Sequence, residues 1–174
     1  MKLFMREPSS SQPSSPRPGP TLSLKGRALR WLSQREHTRQ ELARKLAPHV
    51  EPGDDLDTLL DSLTAQGWLS DARAADSVVH RLQGRQGVLR IRQTLKSKGV
   101  APELAEEAVA SLKVSERERA MAIWQRKFGA PPADPKDRAK QLRFLMVRGF
   151  DAAVAGHVVA QARNLGLDDE DLRD

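Results

Sequence analysis

The sequence predicts an all-α protein, an elongated array of three tandem three-helix repeats that each resemble a helix-turn-helix. Apolar residues recur every three or four positions, which is the spacing of one helix face. Capping residues and glycines divide the chain at helical lengths. The pattern also repeats at an interval of about 50 residues, as in stacked copies of one small unit. Such an array offers a long surface rather than a deep pocket.

The repeat is clearest between the middle and the last third of the chain. Seven residues match another residue 50 places later, and only Gln141 is neither apolar nor glycine. The aligned positions are Ile91, Leu95, Gly99, Val100, Leu104, Ala108 and Val109 with Gln141, Leu145, Gly149, Phe150, Val154, Val158 and Val159. An offset of 49 recovers a weaker first copy, with Leu42, Leu46, Leu59, Leu60 and Leu63 on Ile91, Leu95, Ala108, Val109 and Leu112.

Nine helices are expected, near residues 24–35, 38–47, 54–66, 71–83, 87–98, 102–112, 116–128, 135–148 and 151–165. Their starts are marked by residues that satisfy the free N–H groups of a first turn. These are Thr38 with Glu41, Ser115 with Glu118, Asp134 before Pro135, and Asp151. Their ends are marked by glycines that favour a left-handed conformation, namely Gly67, Gly99 and Gly149.

The chain is expected to divide into an arm, three units and a tail. Residues 1–22 read as a disordered arm, because residues 8–20 hold five prolines and five serines and few apolar groups. The three-helix units are expected at 23–69, 70–113 and 114–165, followed by an acidic tail at 166–174. Each unit is too small to be stable alone, so neighbouring units should share contacts.

The charge distribution narrows the class of partner. The chain has 29 Lys and Arg against 23 Asp and Glu, for a net charge of +6. The last seven residues carry −4, so the rest carries +10. A basic body of this kind predicts binding to a polyanion or to an acidic protein surface. The absence of Cys indicates a cytoplasmic setting. No apolar run is long enough to predict a membrane-spanning segment, and the N-terminal residues do not have the pattern of a secretory signal.

No pattern in the sequence predicts catalysis. The four histidines are scattered without the spacing of metal ligands. No glycine-rich loop follows a strand, and no nucleophile stands with a base. The sequence therefore predicts neither an enzyme nor a cofactor nor a metal site.

The strongest functional signal is a basic stretch without acids over residues 84–102. Val88, Ile91 and Leu95 should form the buried stripe of its helix. Arg92 and Lys96 lie four residues apart on the exposed face, where like charges repel each other. Leaving them uncompensated points to an external anion. The cations of this stretch are Arg85, Arg90, Arg92, Lys96 and Lys98.

A second basic stretch occupies the corresponding helix of the next unit, over residues 135–150. Three of its cations fall at i, i+4 and i+7, and Asp137 is the only acid beside them. The candidate residues here are Lys136, Lys140, Arg143 and Arg148, with Arg138 nearby. A solvated helix face is the alternative interpretation of both stretches, although their repetition in equivalent helices favours binding.

Aromatic residues do not support the stacking of nucleic-acid bases. The chain has three Trp, four Phe and no Tyr. Trp31, Trp68, Trp124 and Phe144 lie in apolar patterns and are expected in the core, and Phe150 is expected to staple the turn after Gly149. Contacts to phosphates are therefore predicted, but not readout of bases.

Three stretches, in order and correctly spaced, resemble the RecX family, small bacterial regulators of the recombinase RecA. Residues 67–75 are similar to its Gly-aromatic-aliphatic-Asp-Asp segment, residues 87–100 to its G-x-x-R-I-x-x-x-L-x-x-K-G core, and residues 144–150 to its F-L-x-x-R-G-F signature. Residues 39–42 fit its R-x-E-L motif. The chain departs from the family at Ser70, where an acid is common, at Ala74, where an aromatic is usual, and at Thr94, where Glu is common.

The resemblance implies a three-unit helical protein that lies in the groove of the RecA filament on single-stranded DNA. There it would contact neighbouring protomers and lower ATPase and strand-exchange activity, and so regulate DNA repair and recombination. A monomer is expected. Binding to isolated DNA should be weak, strongly salt-dependent and without sequence preference, because the charge is present and the base-reading groups are not.

Two other functions stay open from the residues alone. A transcriptional regulator with tandem helix-turn-helix units would need a recognition helix that reads bases. The helices expected after Gly99 and Gly149 are acidic or nearly uncharged, which disfavours that function. An RNA-associated helical scaffold would be distinguished by a pull-down with nuclease treatment.

Overall fold

The computed structural model describes residues 22–170, with side chains described to residue 162. Within this part the chain forms nine α-helices and no strand, as the sequence predicts. The helices are α1 (Leu24–Leu32), α2 (Arg39–Leu46), α3 (Leu56–Ala65), α4 (Asp71–Leu82), α5 (Val88–Ser97), α6 (Pro102–Val114), α7 (Glu116–Lys127), α8 (Pro135–Val147) and α9 (Ala152–Glu170). A 3₁₀ turn over Ala47–His49 lies between α2 and α3.

The observed helix ends lie within three residues of the expected ones, except the last. Helix α9 continues to Glu170, five residues further than expected, so the first part of the expected acidic tail is helical. The remainder of that tail, and residues 1–21 of the expected arm, lie outside the described residues.

Three separate clusters of buried side chains follow one another along the chain. The first involves α1–α3, the second α4–α6 and the third α7–α9, and these groups are called units 1, 2 and 3 below. Leu46, Leu95 and Leu145 occupy equivalent positions in the second helix of each unit, and each is fully buried. The apolar repeat of the sequence therefore marks one core position used three times.

Gln141 is the polar exception to this repeat, and it is buried as completely as its apolar counterparts. Its Oε1 accepts a hydrogen bond from Nε1 of Trp124 at 2.8 Å. Its Nε2 donates to the carboxylate of Asp137 at 2.9 Å. Because both ends of the amide have partners, burial of this side chain carries no unmet hydrogen bond.

Most of the predicted helix starts are confirmed, and one is wrong. Thr38 and Glu41 form a reciprocal capping box at α2. Asp134 and Asp151 accept from the backbone of α8 and α9 at 2.7 and 2.8 Å. Ser115 makes no capping hydrogen bond, because α6 runs directly into α7 and Ser115 has a nearly helical backbone between them.

Units 2 and 3 are joined where the turn between α8 and α9 meets the first turn of α5. The backbone N–H of Gly87 donates to the carbonyl of Arg148 at 2.9 Å, and that of Leu89 donates to Gly149 at 3.1 Å. The N–H of Val88 donates to the buried carboxylate of Glu116, the first residue of α7, at 2.8 Å. Free N–H groups of one unit are thus satisfied by the next.

The same joint occurs between units 1 and 2. The hydroxyl of Thr38, the N-cap of α2, donates to the carbonyl of Lys98 at 2.6 Å. The N–H of Arg39 donates to the carboxylate of Asp71, the first residue of α4, at 2.7 Å. The second helices of units 1 and 2 are therefore each closed at their start by an acid and a turn carbonyl from the following unit.

Two glycines allow the turns to approach this closely. Gly99 and Gly149 have φ of 79° and 86°, the left-handed conformation that the sequence predicts for them and for Gly67. A Cβ on Gly149 would also overlap the backbone N of Arg90, and one on Gly99 would overlap the Gln40 side chain. Glycine is required at both positions by conformation and by space.

Candidate polyanion-binding surface

The second helices of units 2 and 3 place the candidate cations. In α5 the buried side chains are Val88, Ile91 and Leu95, as predicted, so the intervening residues face away from the unit 2 core. In α8 the buried side chains are Gln141 and Leu145. The repeat therefore presents equivalent outer faces of two helices, and the joint between units 2 and 3 fixes one helix relative to the other.

Three cations in and just before α5 are exposed and pair with no acid among the described residues: Arg85, Arg90 and Lys96. We call them the α5 basic face. Arg90 lies beside the Gly149 turn at the joint, whereas Lys96 lies in the last turn of the helix. These cations are thus spread along the length of α5, and no described acidic side chain neutralises them.

Arg92 does not belong to this face in the way expected. Its guanidinium forms a bidentate ion pair with the carboxylate of Glu106 in α6. The same carboxylate also accepts a hydrogen bond from Lys113 at 3.1 Å. The hydrogen bond from Arg92, and then that from Lys113, lower the pKa of the Glu106 carboxyl. The expectation that Arg92 is uncompensated is wrong, because the partner comes from the following helix of the same unit.

Lys98 is likewise committed within the protein. Its ammonium group pairs with Glu41 of α2, and the two side chains are only 19% and 14% exposed. Burial alone would raise the pKa of Glu41, but the hydrogen bond from Lys98, then those from the Thr38 backbone and Arg35, hold it at about 2. Lys98 therefore supports the joint between units 1 and 2 rather than an outer surface.

In α8 the i, i+4, i+7 spacing produces the surface that it predicts. Lys136, Lys140 and Arg143 are all exposed, and none pairs with an acid among the described side chains. We call them the α8 basic face. Together with Asp134, Asp137 and Ala139 they line an open depression of about 540 Å³. An extended anion would meet three cations along one helix here.

Arg148 has a structural position between the two faces. Its guanidinium lies 3.6 Å from the centre of the Phe144 ring, and Nη1 donates to the Phe144 carbonyl at 3.1 Å. Its own carbonyl accepts from Gly87 at the joint. Its charge is half-buried, so Arg148 serves the joint more than the outer surface.

The aromatic residues are placed as predicted, with one exception. Trp124 and Phe150 are buried, and Trp31 and Phe144 pack at the edges of cores. Trp68 is 57% exposed, so its expected place in the core is wrong. It follows Gly67 in the turn after α3, where the chain leaves unit 1, and its neighbour Leu69 fills the core instead.

Sequence reasoning missed the residues that build the joints. Glu116 is an acid with only 9% exposure. The guanidinium of Arg119, in α7, donates hydrogen bonds to the carbonyls of Gln83, Gln86 and Leu112. It thereby satisfies carbonyl groups at the ends of α4 and α6. The only signal for the two joint acids was their position, because Asp71 and Glu116 are each the first residue of a unit's first helix.

Other classes of site are not found in the described part of the chain. No group of three or more His, Cys, Asp or Glu side chains there is arranged to hold a metal ion. No helix there is long and apolar enough to cross a membrane.

Comparison with known proteins identifies the family. Models of the RecX first, second and third three-helix domains match residues 25–63, 70–109 and 115–159. The regulatory protein RecX of Ralstonia pickettii (strain 12J) is 48% identical over 159 residues, which cover 91% of this chain and 99% of that protein. The regulatory protein RecX of Leptothrix cholodnii is 52% identical over 143 residues, which cover 82% and 91%.

The fold agrees with this relationship. A crystal structure of RecX from Lactobacillus salivarius superposes with a TM-score of 0.69 at 20% identity, over 80% of this chain and 94% of that one. Three matching domains in order, together with relatives that are about half identical along nearly their whole length, leave one assignment: the chain belongs to the RecX family of regulatory proteins.

Proposed function

We propose that this protein regulates the recombinase RecA by binding in the groove of the filament that RecA forms on single-stranded DNA, where it lowers recombinase activity. The observation that carries the proposal is the pair of basic faces. The α5 basic face and the α8 basic face occupy equivalent helices of successive units and consist of cations without acidic partners among the described side chains.

The match between a repeat protein and a filament is geometric. A filament presents the same protomer surface and the same phosphate backbone at regular intervals. Two basic helices held by a rigid joint present cations at one fixed interval, so both can bind without further loss of conformational freedom. Each charged contact at such a surface contributes about 1–3 kcal/mol, so loss of either face should weaken engagement measurably.

Phosphate contact fits these faces better than base reading. Helix α6, which follows the Gly99 turn, carries the exposed acids Glu103 and Glu107, which would repel the phosphates beside a DNA groove. Helix α9 presents no cation between Ala152 and Ala162. A transcriptional regulator that inserts either helix into a groove is therefore disfavoured, and we propose weak, sequence-independent binding to isolated DNA.

The same proposal covers the organisation and setting of the protein. We place the unit boundaries at 23–69, 70–113 and 114–165, and we propose that the protein acts as a monomer in the cytoplasm without a cofactor. The regulatory names of its relatives support a function by binding rather than by catalysis.

The test is RecA ATPase activity on single-stranded DNA at limiting amounts of this protein. The parent should suppress the activity, whereas R90E/K96E and K140E/R143E should each suppress it at least about tenfold less well, because each loses two contacts of the size given above. The matched control is R81E/K127E, which makes the same change in net charge on exposed cations of the first helices, α4 and α7. It should suppress like the parent.

Two results would count against the proposal. If the parent protein leaves the ATPase unchanged over the whole concentration range, regulation by filament binding is wrong. If the control variant loses as much activity as the two face variants, net charge rather than the α5 and α8 faces governs the effect. Circular dichroism of every variant establishes that the helices are intact.

A further inference from the structure

Two exposed aliphatic residues follow the α8 basic face on the same side of that helix. Met146 is 51% exposed and Val147 is 67% exposed. They lie three and four residues after Arg143, so they continue its row by one helical turn. The outer side of α8 therefore changes from cationic to apolar along its length. Lys140 and Val147 are separated by about 10 Å along the helix axis.

The repeat shows that this apolar end is particular to unit 3. At the offset of 50 residues, Met146 and Val147 correspond to Lys96 and Ser97 at the end of α5. All four are exposed, and buried and exposed residues alternate in the same order over the last seven positions of both helices. The exposed apolar residue of α5, Leu89, lies at the opposite end of that helix. The fold therefore accepts polar residues at the end of α8, and packing does not account for the apolar pair.

The cations beside the apolar pair have no internal partner. Two acids, Asp134 and Asp137, lie at the start of α8. Asp134 accepts from the backbone N–H of Asp137, and the carboxylate of Asp137 accepts from the buried side chain of Gln141 at 2.9 Å. Neither acid forms an ion pair with Lys140 or Arg143. The second and third turns of α8 thus present two cations to an anion from outside.

A surface that is cationic and then aliphatic fits a protein segment better than a nucleic acid. A phosphate backbone supplies anions but no aliphatic group, and its bases stack on aromatic rings. A protein segment can supply carboxylates and an aliphatic side chain together. A separation of about 10 Å corresponds to roughly three residues of extended chain or seven residues of helix. Burial of the apolar pair would add to the affinity in proportion to the apolar area removed from water.

We propose that the outer side of α8 docks an acidic segment of a partner protein that also carries an aliphatic side chain. Lys140 and Arg143 bind its carboxylates. Met146 and Val147 cover its aliphatic group. The α5 basic face, whose end is polar, then binds the phosphates. The inference rests on the proposed function in one respect, that the α8 basic face is a binding surface, and it divides the two faces between protein and nucleic acid.

The test uses polymeric probes, because a polymer offers every spacing of charge and apolar group. Fluorescence anisotropy measures binding of the full-length protein to labelled poly-glutamate, to a glutamate-rich random copolymer of glutamate and leucine of the same length, and to oligothymidine. The parent should bind the copolymer at least about fivefold more tightly than poly-glutamate, because its leucines can bury the apolar pair. K140Q/R143Q should weaken binding to both polypeptides.

Two further variants locate the preference for the copolymer. M146S/V147S gives α8 a polar end like that of α5 and should abolish the preference. It should leave binding to poly-glutamate and to oligothymidine within about twofold of the parent, because no charge has changed. L89S/V114S is the matched control, since it removes two aliphatic side chains that are 50% and 90% exposed and lie outside α8. It should keep the preference, and circular dichroism checks the helices of every variant.

The outcomes separate this inference from the proposed function. Equal binding of both polypeptides by the parent would overturn the docking surface, as would a preference that survives in M146S/V147S or is lost equally in the control. A greater loss of oligothymidine than of copolymer in M146S/V147S would assign this end of α8 to nucleic acid and would also overturn it. None of these measurements contains the recombinase. A protein that prefers the copolymer through the apolar pair but leaves the RecA ATPase unchanged would retain this surface and lose only the proposed function.

Discussion

The backbone N–H of Gly87 donates to the carbonyl oxygen of Arg148 at 2.9 Å, across a separation of 61 residues. This bond closes the first turn of α5 with a turn from the next unit. Its counterpart between units 1 and 2 joins Thr38 to Lys98 at 2.6 Å. The joint is therefore a repeated element of the fold, and the relative position of the α5 and α8 basic faces depends on it.

Adding a methyl group at Gly87 should open the joint between units 2 and 3. The φ of Gly87 is −78°, which any residue can adopt, so only space is tested. A Cβ there would overlap the carbonyl group of Gly149, and G87A should destabilise the protein by about 1–3 kcal/mol in urea unfolding. G84A is the control, because a Cβ at Gly84 meets nothing within 4 Å. Equal midpoints for the two variants would contradict the close approach.

Two glycines of positive φ should respond unequally to the same substitution. Gly67 and Gly149 have φ of 74° and 86°, so alanine is strained by about 1–2 kcal/mol at either. At Gly149 the new Cβ would also overlap the backbone of Arg90, whereas Gly67 has open space around it. We expect G149A to cost about 3 kcal/mol or more and G67A about 1–2 kcal/mol. Urea unfolding of the two variants measures the difference, and a larger effect at Gly67 would refute the assignment.

The ion pair between Glu41 and Lys98 should make stability depend on pH in the acid range. The folded pKa of Glu41 is about 2, below its ordinary value of 4.5. The stabilisation is therefore fully present above pH 4.5 and is lost as the pH falls toward 2. It amounts to at most about 3 kcal/mol. E41Q should lose this contribution at pH 7 and should approach the parent in stability near pH 2.5, as followed by urea unfolding at both pH values. A constant gap between them would contradict the low pKa.

Arg92 and Lys96 should separate stability from binding. K96Q removes an exposed cation without an acidic partner, so it should weaken oligothymidine binding and reduce the slope of log K against log salt by about 0.7. R92Q removes a cation already neutralised by Glu106, so the slope should change by less than half as much. Fluorescence anisotropy over a salt series measures both. If R92Q has the larger effect, Arg92 leaves Glu106 to bind the anion.

Trp68 should dominate the accessible tryptophan fluorescence of the protein. It is 57% exposed, whereas Trp124 is 3% exposed and Trp31 is half-buried. W68F should remove most of the iodide-quenchable emission and shift the rest to shorter wavelength. The free energy of unfolding should change by less than about 0.5 kcal/mol, because Trp68 lies outside the core. Loss of quenching in W124F instead would mean that the turn after α3 is folded inward.

The helices and their order could be predicted because their causes are local. A capping residue such as Asp134 or Asp151 acts on the next three residues, and a glycine such as Gly149 ends the helix that precedes it. The buried stripe of α5 follows from spacing alone. The signal misread at Ser115 has a local cause too, because α6 runs directly into α7 there and Ser115 keeps a nearly helical backbone.

The candidate surface could be predicted only in part, because its pairing partners are distant. Glu41 lies 57 residues from Lys98, and Glu106 lies 14 residues from Arg92 in another helix. No periodicity reveals such pairs. For Lys140 and Arg143 the prediction of exposed cations is confirmed, since both are exposed and neither forms an ion pair among the described side chains. Their binding role stays a prediction.

Helix α8 begins one turn earlier than its counterparts in the repeat. The position that corresponds to Gly87 is Asp137, and its N–H is already bound by Asp134 at 2.7 Å. The N–H of Arg138 likewise donates to Asp134. The N–H groups that would bind the turn of a fourth unit are thus already bonded within α8. A second copy of the chain therefore cannot be added after unit 3 through the same joint. Stacking through this joint therefore stops at unit 3, and the length of partner surface that one molecule can contact is limited by its own units.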